Sequence, residues 1–276
     1  MSGRLKVVAF SSVFHLAVLS GCAELSSSGW IATDDNPQLA QAEYRRGMEY
    51  TQGQGVEQDY ARGVAEFKRA AYHGSANGAY MTGMSYLTGR GVGHSFSNAA
   101  QWLDQAAKQG HSRAQYQLSR LYLGGNGVDR DPIWAMFLAG KAAAQNHPKA
   151  AFELAVGYAK GLGLPESDAA AWYWFSQAEK FQIEHSEQLR RKMQRLTTPA
   201  QRQQISQRML RRQKPDRATA QYIQQQLKRI GYLQGSVDGI WGQQSRVAFN
   251  RYTRQELLLS DVAIDWNTLQ LLRDTR

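Results

Sequence analysis

Between residues 40 and 180 the apolar, small and polar positions recur with a period of 36 residues and no insertion. Tyr50, Tyr86, Tyr122 and Tyr158 hold one phase of that period; Gly53, Gly89, Gly125 and Gly161 hold a second; Gly55, Gly91, Gly127 and Gly163 hold a third. Each period reads as two helices. In the first copy Tyr44, Gly47 and Tyr50 lie three apart on one helical face, and the run stops at Gly53-Gln54-Gly55-Val56, where glycine supplies a left-handed cap. The second helix starts after Asp59, and Ser95, Asp131 and Ser167 stand in the same place in the other copies as side chains able to accept from the free N–H groups. Apolar residues then follow at helical spacing: Val64, Phe67, Ala70 and Ala71; Ala100, Leu103, Ala106 and Ala107; Met136, Ala139, Ala142 and Ala143. The alanines allow close helix approach. One such pair cannot bury its own apolar face, so the pattern predicts four stacked pairs sharing a continuous core.

The second copy carries Ala79, Gly83, Tyr86, Gly89, Gly91, Val92, Trp102, Ala106, Ala107 and Gly110. These residues resemble the Sel-one-like repeat, a 36-residue relative of the tetratricopeptide repeat. The third copy departs from it at Ser119, and the fourth at Leu164 and Glu179, as suits a terminal repeat facing a different neighbour. The resemblance covers residues 40–180 and implies an all-α, helical-hairpin repeat solenoid of four repeats that docks proteins. Tyr50, Tyr86, Tyr122 and Tyr158 read as packing residues. Trp172, Trp174 and Phe175 read as core, with a concave-face contact as the alternative. His111 and His147 are one period apart, which points to repeat copying rather than to metal ligation.

The period ends near residue 180. Residues 181–217 hold ten Arg or Lys against three Asp or Glu. Thr198-Pro199-Ala200-Gln201 starts a helix there, with a threonine cap, proline in the first turn and glutamine at the capping-box position. That helix is expected to run to Lys214, before Pro215, and to cap the array through Ile205, Met209 and Leu210. Its cations would attract anionic headgroups or wall carboxylates.

Residues 218–276 form a separate module. Tyr222, Ile223, Leu227 and Ile230 make a helix face; a turn follows at Asp238-Gly239, and a second helix carries Val247, Ala248 and Phe249. Gln226-Leu227, Ile230-Gly231-Tyr232, Gly235, Asp238-Gly239, Gly242, Ala248 and Phe249 are similar to the small three-helix peptidoglycan-binding domain of wall hydrolases. Ser245 and Asn250 depart from its pattern, and Asp265, Thr268, Leu269 and Leu272 match its second half loosely. The turn itself is expected to be structural, with the aspartate bonding local backbone and the glycine left-handed. The resemblance implies peptidoglycan as a ligand, with Tyr232, Gln234, Trp241, Ser245, Arg246 and Arg251 around the turn as candidate contacts. Aromatic faces would cover sugar or alkyl surface and arginine would pair a carboxylate.

At the other end, Arg4 and Lys6 precede an apolar run from Val7 to Leu19, too short for a permanent span. The run closes on Leu19-Ser20-Gly21-Cys22, which resembles the bacterial lipobox. Under that resemblance residues 1–21 are a signal peptide, Cys22 carries the acyl chains, and residues 22–39 are a polar tether. Ala23 after the cysteine favours the outer membrane, with the chain facing the periplasm. Cys22 is the only cysteine, so no disulfide forms within the chain.

Composition narrows the chemistry further. The formal net charge is +10, but an exported chain argues against nucleic acid as the partner. The five histidines beyond residue 21 lie in the array and connector, and no H-E-x-x-H or G-x-S-x-G occurs. No catalytic residue, metal ligand or cofactor site is therefore expected. The sequence predicts a membrane-anchored envelope scaffold that docks an unidentified envelope protein on its repeats and binds peptidoglycan through its C-terminal module. Two alternatives remain: a pure protein scaffold whose module no longer binds glycan, and a non-catalytic regulator of a wall hydrolase.

Overall fold

The computed structural model describes residues 35–210, 216–256, 264 and 266–275, which belong to one compact unit. Cys22, residues 1–21 and most of the 22–39 tether lie outside the described residues, as do Lys214, Pro215 and Asp265. Among the described residues there are thirteen helices and no strand. No described helix is long and apolar enough to cross a membrane.

Eight helices form four hairpins: α1 (Pro37–Gln52) with α2 (Tyr60–Tyr72), α3 (Ala76–Thr88) with α4 (Phe96–Lys108), α5 (Ser112–Gly124) with α6 (Pro132–Ala143), and α7 (Pro148–Lys160) with α8 (Asp168–Glu179). The two helices of each hairpin pack on each other, and α2, α4 and α6 pack on the first helix of the next repeat. The expected caps form. Asp59 accepts from the Arg62 N–H at 2.9 Å, Ser95 from Asn98 at 3.2 Å, Asp131 from Trp134 at 2.9 Å and Ser167 from Ala170 at 3.2 Å. Gly53, Gly89, Gly125 and Gly161 close the first helix of each pair in the left-handed region.

The second glycine phase sets how repeats meet. A Cβ on Gly91 would lie 2.3 Å from the Tyr60 carbonyl oxygen, and one on Gly163 would lie 2.1 Å from that of Pro132. A Cβ on Gly127 would meet the Phe96 backbone at 2.3 Å. In each case the glycine abuts the start of the preceding repeat's second helix. A Cβ on Gly55 would meet nothing within 4 Å, since among the described residues no repeat precedes it.

The third repeat breaks the pattern at α6. Nine of its residues are buried, including Trp134, Phe137 and Gly140. A helix apolar all round must be covered on every side. The corresponding positions carry Arg62, Ala65 and Lys68 in α2, and Asn98, Gln101 and Asp104 in α4. The second apolar face of α6 is covered by α11 (Arg217–Arg229), the first helix of the C-terminal module. Helices α12 (Gln243–Gln255) and α13 (Trp266–Asp274) complete that module. Tyr222, Ile223, Leu227, Phe249, Tyr252 and Leu272 of the module share one core with Leu118, Leu121, Trp134 and Phe137 of the array. The module is therefore docked on the array rather than strung from it.

The connector holds two helices where the sequence suggested one. Helix α9 (Ser186–Arg195) packs on α8 and buries Met193. Helix α10 (Pro199–Leu210) also packs on α8. Its capping box is made: Thr198 Oγ1 accepts from the Gln201 N–H at 3.2 Å, and Gln201 Oε1 accepts from the Thr198 N–H at 2.8 Å. Ile205 and Met209 face the fourth-repeat core, but Leu210 is 75% exposed. The expected stripe thus loses its last member, since α10 lies on a single neighbouring helix.

Candidate functional site

The first helices of the repeats carry a ladder of aromatic rings: Tyr44, Tyr80, Tyr116 and Phe152, one period apart. Each of the two middle rings stacks on the histidine that begins the next repeat. Tyr80 and His111 lie 4.5 Å apart at 23°, Tyr116 and His147 4.6 Å apart at 26°. Both histidines are N-caps: His111 Nδ1 accepts from the Ala114 N–H at 3.1 Å, and His147 Nδ1 from the Ala150 N–H at 3.3 Å. A capping Nδ1 must be unprotonated, so the ring proton sits on Nε2, which in His111 faces Asn77 Oδ1 at 3.1 Å. Burial, reinforced by Arg113, lowers both histidine pKa values. The repeat spacing of the two histidines thus reflects a shared capping role.

Beside this ladder sits the most perturbed carboxylate described. Glu153 projects from α7 toward α5, where Ser119 Oγ donates to its Oε2 at 3.3 Å and Arg120 Nε lies 3.8 Å from its Oε1. Burial raises its pKa from 4.5 to about 7, against the lowering effects of Arg120, Ser119 and Tyr116. Tyr116 is pushed up to about 12, first by burial and then by the Glu153 charge. Sequence reading passed over this group, because the corresponding positions hold Arg45, Met81 and Gln117 and no period marks it.

In the C-terminal module one buried amide organises the turn. Gln224 Nε2 donates to Asp238 Oδ1, the Ile240 carbonyl and Ser245 Oγ at 3.1, 2.9 and 2.9 Å. Its Oε1 accepts from the Asp238 and Gly239 N–H groups at 3.2 and 2.8 Å. Asp238 Oδ1 accepts from the Ile240 N–H at 2.9 Å, and Gly239 has φ 69°, as the turn required.

The six candidate contacts separate around this hub. Ser245 is 4% exposed with its hydroxyl bonded to Gln224, so it is interior and presents nothing to a ligand. Trp241 is half-buried, edge-on to Phe249 at 5.9 Å. Gln234 and Arg246 are exposed. Only Tyr232 and Arg251 are seen together: the guanidinium lies 5.8 Å from the ring centroid, and the Tyr232 hydroxyl donates to Glu256 Oε1 at 2.6 Å.

The docking contacts were also missed. Tyr222 lies 5.0 Å from both Trp134 and Phe137, ring to ring. Lys141 Nζ bonds Asp216 Oδ2 at 2.9 Å, the Tyr158 hydroxyl donates to Gln221 Oε1 at 2.8 Å, and Arg273 Nη1 donates to the Tyr122 hydroxyl at 3.1 Å. Two of the four tyrosines that precede the glycine turns, Tyr122 and Tyr158, are therefore committed to the module. The signal for this was available: at three positions facing away from the repeat core, α6 is apolar or glycine where α2 and α4 carry mostly polar residues. Of the three aromatics weighed in α8, Phe175 is core, Trp172 lies under Arg202 at 5.6 Å, and Trp174 lines a cavity.

Comparison with known proteins accords with this architecture. The model of the Sel1 repeat matches residues 40–75, 76–111, 112–147 and 148–180, just over half of the chain. No curated protein sequence matches it. Among solved structures, a Sel1 repeat protein from Oxalobacter formigenes is similar at 22% identity and a TM-score of 0.53, over 55% of this chain and 62% of that one. A protective antigen of uropathogenic Escherichia coli strains, displaying an SLR fold, is similar at 22% identity and a TM-score of 0.56, over 86% of this chain and 54% of that one. The chain thus spans between half and two thirds of those structures, and at such identity they show the fold alone. The four matched repeats, in register with the four helical hairpins, place the chain in the Sel1 repeat family.

Proposed function

We propose that this chain is a non-catalytic docking scaffold of the bacterial envelope. Its repeats hold a partner protein along the ladder of first helices, and its C-terminal module, seated on the third repeat, binds peptidoglycan. Cys22, bearing acyl chains, ties the assembly to the outer membrane on the periplasmic side. The observation that carries the docking role is the repeated aromatic face itself: Tyr44, Tyr80 and Phe152 are half-buried, leaving ring surface for a partner at fixed intervals. Wall binding is supported by the turn motif and by the Tyr232–Arg251 pair, an aromatic face and a cation side by side. Because the module rests on α6, wall and partner would be held at a fixed separation, and simultaneous attachment would gain from effective concentration.

The test is co-sedimentation of residues 33–276 with purified sacculi across a salt series. Deleting the module is a poor control, since it would uncover Trp134 and Phe137. Paired substitution of Tyr232 and Arg251 by alanine leaves that interface alone. Binding that survives about 0.3 M salt, where screening shortens the Debye length well below 10 Å, and falls at least fivefold in the double variant supports the reading. Binding that vanishes with salt and ignores the substitutions reduces the effect to the basic connector and leaves a pure protein scaffold.

A further inference from the structure

Next to the docking interface, α6, α7, α8, α10 and α11 enclose a cavity of about 820 Å³. That is within the ~300–1,000 Å³ typical of small-molecule sites. Its wall is more apolar than polar and includes Met136, Leu154, Trp174, Phe181 and Met209. Phe181 is 46% exposed and marks the open side. Among the described lining residues the cation is Arg217. Its Nη1 donates to the Asp238 carbonyl at 2.7 Å and its Nη2 to the Arg208 carbonyl. Its Nε is buried and has no hydrogen-bond partner. The neighbouring carboxylate of Asp216 is already taken by Lys141 at 2.9 Å.

A half-buried guanidinium held by two carbonyls is positioned, and each Nη keeps a second hydrogen for another acceptor. Burial, reinforced by Arg208, holds the Arg217 pKa below its ordinary range, against the raising effects of Tyr158, Asp238 and Tyr173. An anion at the guanidinium edge that lines the cavity would give it a charge-assisted partner, and the apolar wall would take an alkyl chain attached to it.

We infer that this cavity is a binding site for a single-chain amphiphile with one anionic head, the head paired with Arg217 and the chain lying against Trp174, Leu154 and Met209. The inference is independent of wall binding. A fatty acid and a single-chain phosphate ester share this chemistry, and the experiment separates them.

Residues 33–276, which lack any acyl chain of their own, are titrated with 12-bromododecanoate, with 12-bromododecanol and with dodecyl phosphate. Bromine quenching of tryptophan fluorescence follows the first two, and calorimetry follows all three. The expected result is saturable one-site binding in which the carboxylate or the phosphate is at least tenfold tighter than the alcohol. The tighter of the two anions identifies the source. Arg217→Gln should remove that tenfold preference and leave alcohol binding unchanged. Trp174→Phe should remove most of the quenching while calorimetric affinity holds. Equal affinity for acid and alcohol, or an unaltered preference in Arg217→Gln, would overturn the inference, as would failure of both anions to saturate. Arg217 also bonds two carbonyls, so the alcohol reports whether that variant keeps the cavity. If alcohol binding disappears there, the acid-to-alcohol ratio of the unmodified chain decides alone.

Discussion

Gly140 and Ala218 meet without a side chain between them: a Cβ on the glycine would lie 2.8 Å from that of the alanine. Their contact sets how closely α11 lies on α6. It brings Tyr222 within 5.0 Å of Trp134 and Phe137 and merges the module's core with the array's.

Gly140→Leu should therefore act as a wedge. Overpacking of a closed interface costs about 1–3 kcal/mol, and the better helix propensity of leucine returns up to about 1 kcal/mol. Urea unfolding is expected to show a net loss of about 1–2 kcal/mol. Unchanged or increased stability would mean that α11 does not rest on this surface.

Gly55 and Gly91 share one backbone conformation, φ 72° and 74°, but only Gly91 abuts another repeat. Alanine at either position meets the left-handed penalty of roughly 1–2 kcal/mol. Gly91→Ala must also displace the Tyr60 backbone, 2.3 Å from the new Cβ. The loss for Gly91→Ala should exceed that for Gly55→Ala by at least about 1 kcal/mol in denaturant melts. Equal losses would remove the repeat contact as the reason for the second glycine phase.

The period, the caps and the glycine turns were legible in the sequence because each depends on residues a few positions apart. Asp59, Ser95, Asp131 and Ser167 act within three residues, and Gly53 and its copies act on their own helix. The docking of α11 depends on residues about 85 positions apart, and periodicity carries no record of such a pairing. Trp134, Phe137 and Gly140 recorded half of it, as departures from the polar residues of the first two repeats. Helix α9 escaped because it is mostly charged, with only Met193 and Leu189 as apolar residues against the core. Ser245 was misjudged for a related reason: hydroxyl chemistry says nothing about burial, and Gln224, which claims that hydroxyl, lies 21 residues away.

Glu153 gives a signed pH dependence. Its folded pKa, about 7, lies above the ordinary 4.5, so between those values the folded state binds more protons than the unfolded one. Stability from this group is full below about pH 4.5 and is lost as pH rises through 7. The shift corresponds to at most about 3 kcal/mol. Lowered histidine pKa values at positions 111 and 147 act oppositely, adding stability above pH 6.5 that is lost on acidification. Subtracting the pH profile of Glu153→Gln from that of the parent isolates the carboxylate. The difference should fall between pH 4.5 and 7; a flat or rising difference would contradict the buried-carboxylate account.

Ending the chain at residue 216 should uncover the second face of α6. A contiguous apolar patch of that kind drives association. The truncated protein is expected to self-associate in light scattering. Trp134→Arg with Phe137→Gln, residues that the first and second repeats already carry at these positions, should restore a monomer. A monomeric truncation without those changes would show that the face needs no cover.

The central claim is that array and module form one body through α6 and α11, and amide hydrogen exchange on residues 33–276 tests it most directly. Helices α11 and α6 should be protected to a similar degree, and Gly140→Leu should lower protection in both while α2 and α3 keep theirs. Exchange of α11 to α13 far ahead of α6, unaffected by the substitution, would contradict it and return the module to a separate domain on a linker.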